Sequence, residues 1–332
     1  MGLTWSLFFP PQPTLTAANL PSQEGKVFIV TGGYSGIGFE LCSILYQAGG
    51  KVYLAGRSEE KAQAAIEKIK ALLPSKNNSP VASSKPGELV FLSVSLDDLQ
   101  TIKPAADKFL ANETRLDVLF NNAGISNPPR GSVSSQGHEL QFATNCLGPH
   151  LLTQLLLPVL LRTAKSSPSS NVRVIWSGSI VVDLSTPEGG PSVADFEHPS
   201  ADQQVNYTNS KVGNWYLANS LAAQVGEHGI LSLAQNPGNL KTALTRHVPA
   251  IIPILVAPIL YSAKFGAYTT LWSAFSTDLT TEDGGKYILP WGRLHPSPRK
   301  DLLAALQSEE DGGTGSAFKF VDFCDRNILE FK

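Results

Sequence analysis

With 332 residues, 42% of them hydrophobic and 16% charged, the chain can bury one large α/β core. A formal net charge of −2 and the lack of a long basic run exclude the electrostatic footprint of a nucleic-acid binder. The cysteines Cys42, Cys146 and Cys324 are odd in number and without metal spacing, and they read as reduced thiols of a cytoplasmic protein.

Residues 1–24 form an N-terminal arm in which Trp5, Leu7, Phe8 and Phe9 precede prolines at 10, 11 and 13. No basic residue stands before this short apolar patch, so it lacks the build of a secretory signal. Met1-Gly2-Leu3-Thr4-Trp5-Ser6 fits the N-myristoylation pattern, although one acyl chain without a polybasic neighbour anchors only weakly. The plainer reading is an arm on the domain surface, with membrane contact permitted but not required.

The apolar, β-branched run 27–30 predicts a strand. It breaks into the turn Thr31-Gly32-Gly33-Tyr34-Ser35-Gly36-Ile37-Gly38, and residues 39–48 predict a helix. A strand, a glycine turn and a helix in that order form a phosphate cradle: the glycines admit a pyrophosphate close to the backbone, and the new helix offers unpaired N–H groups. The alternation continues with a strand at 51–55, a helix at 58–73, a loop at 74–87 and a strand at 88–94 that runs into Ser95-Leu96. Further strands are predicted at 117–120, 172–176 and 230–236. This pattern predicts the α/β class: one Rossmann-type, doubly wound parallel sheet with helices on both faces and ligands beyond the carboxyl ends of its strands.

Two features at those strand ends carry chemistry of their own. Ala55-Gly56-Arg57-Ser58 has no carboxylate for a ribose 2′-hydroxyl, whereas Arg57 can pair with a 2′-phosphate, which favours NADP(H) over NAD. Tyr207 and Lys211, four residues apart on a predicted helix to about 225, share one face. A nearby ammonium favours the phenolate and brings a tyrosine toward proton-transfer duty.

The joint pattern is more telling than any part. Thr31-Gly32-x-x-x-Gly36-x-Gly38, Asn121-Asn122-Ala123-Gly124, Asn145, Ser179, Tyr207-x-x-Ser210-Lys211 and Pro237-Gly238 follow one another at the predicted strand ends and helix starts. The set resembles the short-chain dehydrogenase/reductase family over about residues 25–290. Phe9 to Thr16, Tyr287-Ile288-Leu289-Pro290-Trp291-Gly292-Arg293 and Arg299-Lys300-Asp301 look like a fungal subgroup, similar to retinol dehydrogenases and to tailoring reductases of secondary metabolism.

The resemblance implies roles. Tyr207 would be general acid in reduction and general base in oxidation, with Ser179 hydrogen-bonding the same oxygen. Lys211 would lower the tyrosine pKa and bind the nicotinamide ribose, and Asn145 would hold a water linking Lys211 to solvent. The glycine turn with Arg57, Ser95, Leu96, Asn122, Ala123 and Gly124 would hold the adenosine and pyrophosphate side, and Pro237, Gly238, Leu240 and Thr242 the carboxamide end. Homodimers or homotetramers through the long helices around 145–161 and 207–225 are also implied.

Several departures from the family pattern matter. The serine region reads Trp176-Ser177-Gly178-Ser179, so Ser177 remains an alternative to Ser179. The long excursion from Ser179 to Tyr207 predicts one wall of a substrate site. Ser95 stands where an adenine-binding aspartate is expected, leaving Asp97, Asp98 or backbone contacts to replace it. Residues 248–260 are apolar apart from prolines and too short to span a bilayer, which leaves a lid over the site, a patch docking on membrane or subunit, or plain core. The six histidines are scattered without i, i+4 pairing, and neither a histidine–carboxylate pair nor a metal site is expected of them. Together these readings predict a catalytic domain at 25–305, with substrate loops near 180–205 and 240–262 and a terminal tail or helix at 306–332. The expected activity is an NADP(H)-dependent carbonyl/alcohol oxidoreductase acting on a hydrophobic small molecule. The alternative is an NADP-binding protein with a regulatory role, or one using the pocket for cyclisation, dehydration or epimerisation.

Overall fold

The computed structural model describes residues 3–72, 85–241 and 260–332. Ten strands occur among them: β1 Val27–Thr31, β2 Lys51–Gly56, β3 Glu88–Ser93, β4 Val118–Asn121, β5 Val172–Ser177, β6 Ile230–Gln235, β7 Leu240–Lys241, β8 Tyr261–Ser262, β9 Tyr287–Leu289 and β10 Arg293–Leu294. The main sheet has the order β10-β9-β6-β5-β4-β1-β2-β3. It is parallel throughout except for the edge strand β10. The doubly wound fold is therefore present, extended by two short strands that the sequence reading did not contain.

Both faces of the sheet are covered, which is why its strands read as continuous apolar runs. Along β1, Val27 and Ile29 join the core on one face while Phe28 and Val30 join the core on the other. One face carries Gly36–Gln47, Glu59–Ala71 and Ala263–Phe275. The other carries Ile102–Asn112, the long helix Leu140–Ala164 and Gln203–Val225. Among the described residues only Leu140–Ala164 is long and apolar enough to cross a bilayer, and 72% of its apolar window is buried inside the fold.

The terminal helix Ser316–Ile328 is part of the main core. Its Phe320 is fully buried and makes an aromatic cluster with Phe142 and Phe196, at ring separations of 6.0 and 4.5 Å. A Cβ on Gly213 would lie 2.8 Å from the Phe320 ring and 3.0 Å from Cys146 Sγ, so the glycine makes room for Phe320 between the two long helices. The helices expected to meet a second copy are thus packed by the chain's own C-terminal segment. At the other end, the helix Leu3–Phe8 buries Leu7, and Arg293 Nη2 donates to Ser6 O at 3.0 Å. The three cysteines are all buried and unpaired.

Emptying the Phe320 site removes a whole aromatic ring from behind two long helices. Phe320→Ala is expected to lower unfolding free energy by ~3–5 kcal/mol in urea titrations, and a loss below ~1 kcal/mol would mean that the terminal helix is not a core element.

Candidate active site

The glycine turn lies where the strand order reverses, between β1 and β4. Gly32 and Gly36 have φ of +67° and +54°, a region costly for residues with a Cβ. A Cβ on Gly38 would meet Gly32 O at 2.3 Å, so Gly38 is needed for the turn to close on itself. Ser35 stands at the N-cap of Gly36–Gln47 without a capping side-chain bond, leaving the first N–H groups of that helix to a ligand. Thr31 Oγ1 donates to Phe120 O at 3.1 Å and accepts from the N–H groups of Asn122 and Ala123 at 3.0 and 2.9 Å. Asn122 Nδ2 donates to Thr31 O at 2.8 Å. These bonds align the Asn122-Ala123-Gly124 turn with the glycine turn, while Ile37 packs under Gly266.

At the ends of β2 and β3, Arg57, Ser95 and Asp97 meet. Arg57 Nη1 lies 2.9 Å from Asp97 Oδ2, and Ser95 Oγ donates to Asp97 Oδ1 at 2.5 Å. Arg57 is 61% exposed in its side chain, so this is a surface ion pair. Asp98 is engaged elsewhere, capping Gln100 N at 3.1 Å and accepting from Gln136 Nε2 at 3.0 Å. Of the two carboxylates considered at this position, Asp97 faces the strand ends. The ring of Tyr34 lies against Gly56, where a Cβ would sit 2.3 Å from it. Leu96 is buried, and Gly148 allows its backbone to approach the long helix.

Tyr207 and Lys211 sit on the buried helix Gln203–Val225 beside the end of β5. Lys211 Nζ donates to Ser177 O at 3.0 Å and lies 5.6 Å from the centre of the Tyr207 ring. Burial pulls the Lys211 ammonium down to about 8. Burial likewise raises Tyr207 above its ordinary value, with a hydrogen bond to Ser179 opposing it. The expected depression of Tyr207 by Lys211 is therefore not met in this arrangement: the ammonium is itself desolvated and directed at the Ser177 carbonyl. Ser177 belongs to β5 and acts through its backbone oxygen, whereas the Ser179 side chain is the one beside Tyr207.

Asn145 lies in a π-turn, Ala143–Leu147, inside the long helix. Its Oδ1 accepts from Ile125 N at 2.9 Å, and its Nδ2 donates to Ile125 O at 3.1 Å and Ser210 Oγ at 2.9 Å. It thereby ties the loop after Gly124 to the tyrosine helix. A Cβ on Gly124 would lie 3.1 Å from Lys211 Nζ and 3.2 Å from Asn145 Oδ1, so both atoms border the same small space.

At the far end, Gly238 has φ of +95° and its N–H donates to Asn236 Oδ1 at 2.9 Å. Trp291 lies against it, 2.5 Å from where a Cβ would be. Leu240 belongs to β7, which pairs with β8 as the base of the apolar insertion. The N-terminal helix rests on that base, with Asn239 Nδ2 donating to Leu7 O and Tyr261 Oη to Phe8 O, each at 3.2 Å. Thr242 and all but the last of residues 248–260 lie outside the described residues, as do residues 73–84 and Gly2.

Four participants were not read from the sequence. Asn214 Nδ2 donates to the same Ser177 carbonyl as Lys211, at 2.9 Å. It stands three positions after Lys211 on the same helix face, and that spacing was a usable signal. The excursion after Ser179 is stapled by Arg299, which donates to Thr186 O at 2.6 Å, and by Asp301, which accepts from Gly189 N at 2.9 Å. Tyr287 contacts Ser179 from β9. The expectation that no histidine neighbours a carboxylate is corrected: His150 pairs with Asp325 at 3.1 Å and His295 with Asp183 at 2.9 Å, partners far apart in the chain.

A family model described as short chain dehydrogenase matches residues 26–180. A short-chain dehydrogenase/reductase of Pestalotiopsis fici is 43% identical over 97% of this chain and 96% of its own. Another, from Phomopsis amygdali, is 44% identical over 98% of this chain and 96% of its own. Among solved structures, an uncharacterised protein of Mycobacterium paratuberculosis matches with a TM-score of 0.67 at 25% identity, covering 95% of this chain and 97% of that one. An NADPH-bound carbonyl reductase from chicken fatty liver matches with a TM-score of 0.57 at 23% identity, covering 83% of this chain and 99% of that one.

The buried lysine makes stability depend on pH with a defined sign. Burial holds Lys211 down at about 8, against its ordinary value of 10.5. Between those values the unfolded chain binds more protons, so this group's contribution to stability rises with pH through that window. From about pH 7 to about pH 10, wild type is expected to gain up to ~3 kcal/mol of unfolding free energy relative to Lys211→Met in urea titrations. Parallel pH profiles for the two proteins would show that the ammonium is not desolvated.

Proposed function

Because the chain belongs to the short-chain dehydrogenase/reductase family, we propose that it is an NADP(H)-dependent oxidoreductase interconverting a carbonyl and an alcohol on a hydrophobic small molecule. The observation that carries this reading is the half-buried Ser179 set beside buried Tyr207 and Lys211 beyond β5. Its setting is a tailoring step of fungal metabolism, supported by the fungal sources of the similar proteins.

The residues present fit a nicotinamide dinucleotide: an uncapped helix start, glycines without room for a Cβ and a cation at the end of β2. Thr31, Gly32, Gly33, Tyr34, Ser35, Gly36, Ile37 and Gly38 would hold the pyrophosphate side, with Asn122, Ala123, Gly124, Ser95 and Leu96 toward the adenosine. Pro237, Gly238, Leu240 and Thr242 would hold the carboxamide end. When bound, the dinucleotide supplies or accepts the hydride.

Tyr207 gives its proton to the carbonyl oxygen in reduction and takes it back in oxidation. Its raised pKa keeps it protonated at neutral pH, which suits the acid role. Ser179 donates to the same oxygen and stabilises its developing charge. Lys211 and Asn145 border the space beside Gly124, where we place the water that returns the proton to Lys211 and the tyrosine.

Arg57 supports NADP(H). Its pairing with Asp97 is exposed and weak, so a 2′-phosphate dianion can displace the carboxylate from the guanidinium. A bulky apolar substrate is supported by the composition of residues 248–260 and by exposed Leu184 on the stapled excursion. Assembly through the two long helices is limited to the surface that Ser316–Ile328 leaves uncovered.

Nicotinamide absorbance with a panel of bulky apolar ketones and aldehydes tests the reading. Turnover is expected with NADPH, falling roughly a thousandfold in Tyr207→Phe. NADPH binding without reduction of any carbonyl would replace this reading by a non-redox use of the pocket. Arg57→Ala is expected to raise the NADPH KM about tenfold and leave that for NADH unchanged. Equal use of NADH by wild type would remove the NADP(H) preference.

A further inference from the structure

Ser179 sits in a short turn between β5 and the helix Val181–Leu184, and its hydroxyl has only a 3.5 Å contact with Val181 N to orient it locally. Its position against Tyr207 therefore depends on where its backbone is held. Besides a local bond from Val182 N to Ser179 O at 3.1 Å, that backbone is held by one distant side chain. Ser179 N donates to Tyr287 Oη at 2.9 Å, and the same hydroxyl donates to Ser179 O at 2.8 Å.

A hydroxyl that accepts from and donates to the same residue fixes both ends of that residue at once. The close approach requires the preceding glycine, since a Cβ on Gly178 would lie 2.4 Å from Tyr287 Oη. Tyr287 is almost fully buried on β9, its ring 5.0 Å from that of Trp215. Burial raises its phenol well above the ordinary value, so the O–H stays available as a donor.

The residue after β10 adds a second anchor. His295 N donates to Tyr287 O at 2.9 Å, and its ring meets Asp183, four residues after Ser179, at 2.9 Å. Because Ser297 N donates to His295 Nδ1 at 3.2 Å, the ring proton lies on Nε2 and points at the carboxylate. The hairpin of β9 and β10 thus grips the serine turn on both sides.

We propose that Tyr287 is a positioning residue for Ser179, aligning its hydroxyl with Tyr207, with the His295–Asp183 pair as the second anchor of the same turn. The proposal rests on the oxidoreductase reading for its consequence in turnover, but not for its geometry. Misplacing an oxyanion donor by a fraction of an ångström weakens catalysis while leaving cofactor binding intact.

The test is a double-mutant cycle of Tyr287→Phe with Ser179→Ala, read first by the Tyr207 phenol titration in tyrosine-labelled protein, its NMR signal assigned by loss in Tyr207→Phe. The titratable groups around the pair are Lys211, Asp183, His295 and Tyr287, and the cycle alters only the last. Tyr287→Phe is expected to raise the Tyr207 titration midpoint when Ser179 is present and to leave it unmoved in the Ser179→Ala background. Where turnover is measurable, Tyr287→Phe is expected to lower kcat about tenfold with an unchanged NADPH KM. An equal shift in both backgrounds, or none in either, would overturn the proposal. Should Tyr287→Phe fail to fold, Asp183→Asn takes its place; its lost charge acts alike in both backgrounds, so a Tyr207 midpoint shift that differs between the Ser179 and Ser179→Ala backgrounds is expected, and equal shifts would overturn the proposal. A cycle that behaves as expected in a protein that reduces no carbonyl would refute the redox reading and keep the clamp.

Discussion

The site depends on the reversal of strand order between β1 and β4. Chains leaving those neighbouring strands pass to opposite faces of the sheet, so a crevice opens at their carboxyl ends without side chains having to be displaced. Thr31 keeps the crevice in register: one hydroxyl binds the Phe120 carbonyl and the N–H groups of Asn122 and Ala123. The glycine turn, the asparagine turn and the helix starts that face a ligand follow from that alignment.

Tyr207 and Lys211 are set by a different constraint, the burial of a largely polar helix. Gln203–Val225 buries Asn206, Tyr207, Thr208, Asn209, Ser210, Lys211 and Asn214, which a surface helix would present to water. Many of these polar groups find backbone partners: Ser210 bonds Tyr207 O, while Lys211 and Asn214 converge on the carbonyl of Ser177. The helix can be buried on both sides because Phe320 fills the space behind it and Gly213 gives Phe320 room. A desolvated lysine is thereby held beside a desolvated tyrosine, each titrating away from its value in water.

Much of this was legible in the sequence where short spacing governs. The glycine turn, the asparagine turn and the tyrosine-lysine pair each lie within a few residues, and hydrophobic runs mark β1 to β6. What escaped depends on long-range closure. Strand β9 has three residues, too few for a periodic signal, so neither it nor Tyr287 could be placed. Asp183 and His295 are 112 residues apart, and His150 and Asp325 are 175 apart, so no local pattern marks either pair. The choice between Asp97 and Asp98 turned on which carboxylate caps a helical turn, and that depends on a bond from Gln136 on another loop.

The part of the chain beyond the family match at 26–180 completes this site. Tyr207 and Lys211 lie in it, and so do the elements that hold the serine side of the crevice. Tyr287 grips Ser179, Arg299 and Asp301 staple the excursion that follows it, and Arg293 holds the N-terminal helix that rests on the base of the apolar insertion. The excursion after Ser179 is therefore held by contacts between the ends of the chain and its middle: β9, β10 and the C-terminal segment grip it, while Thr31 and the buried helix hold the glycine turn, Tyr207 and Lys211 in place.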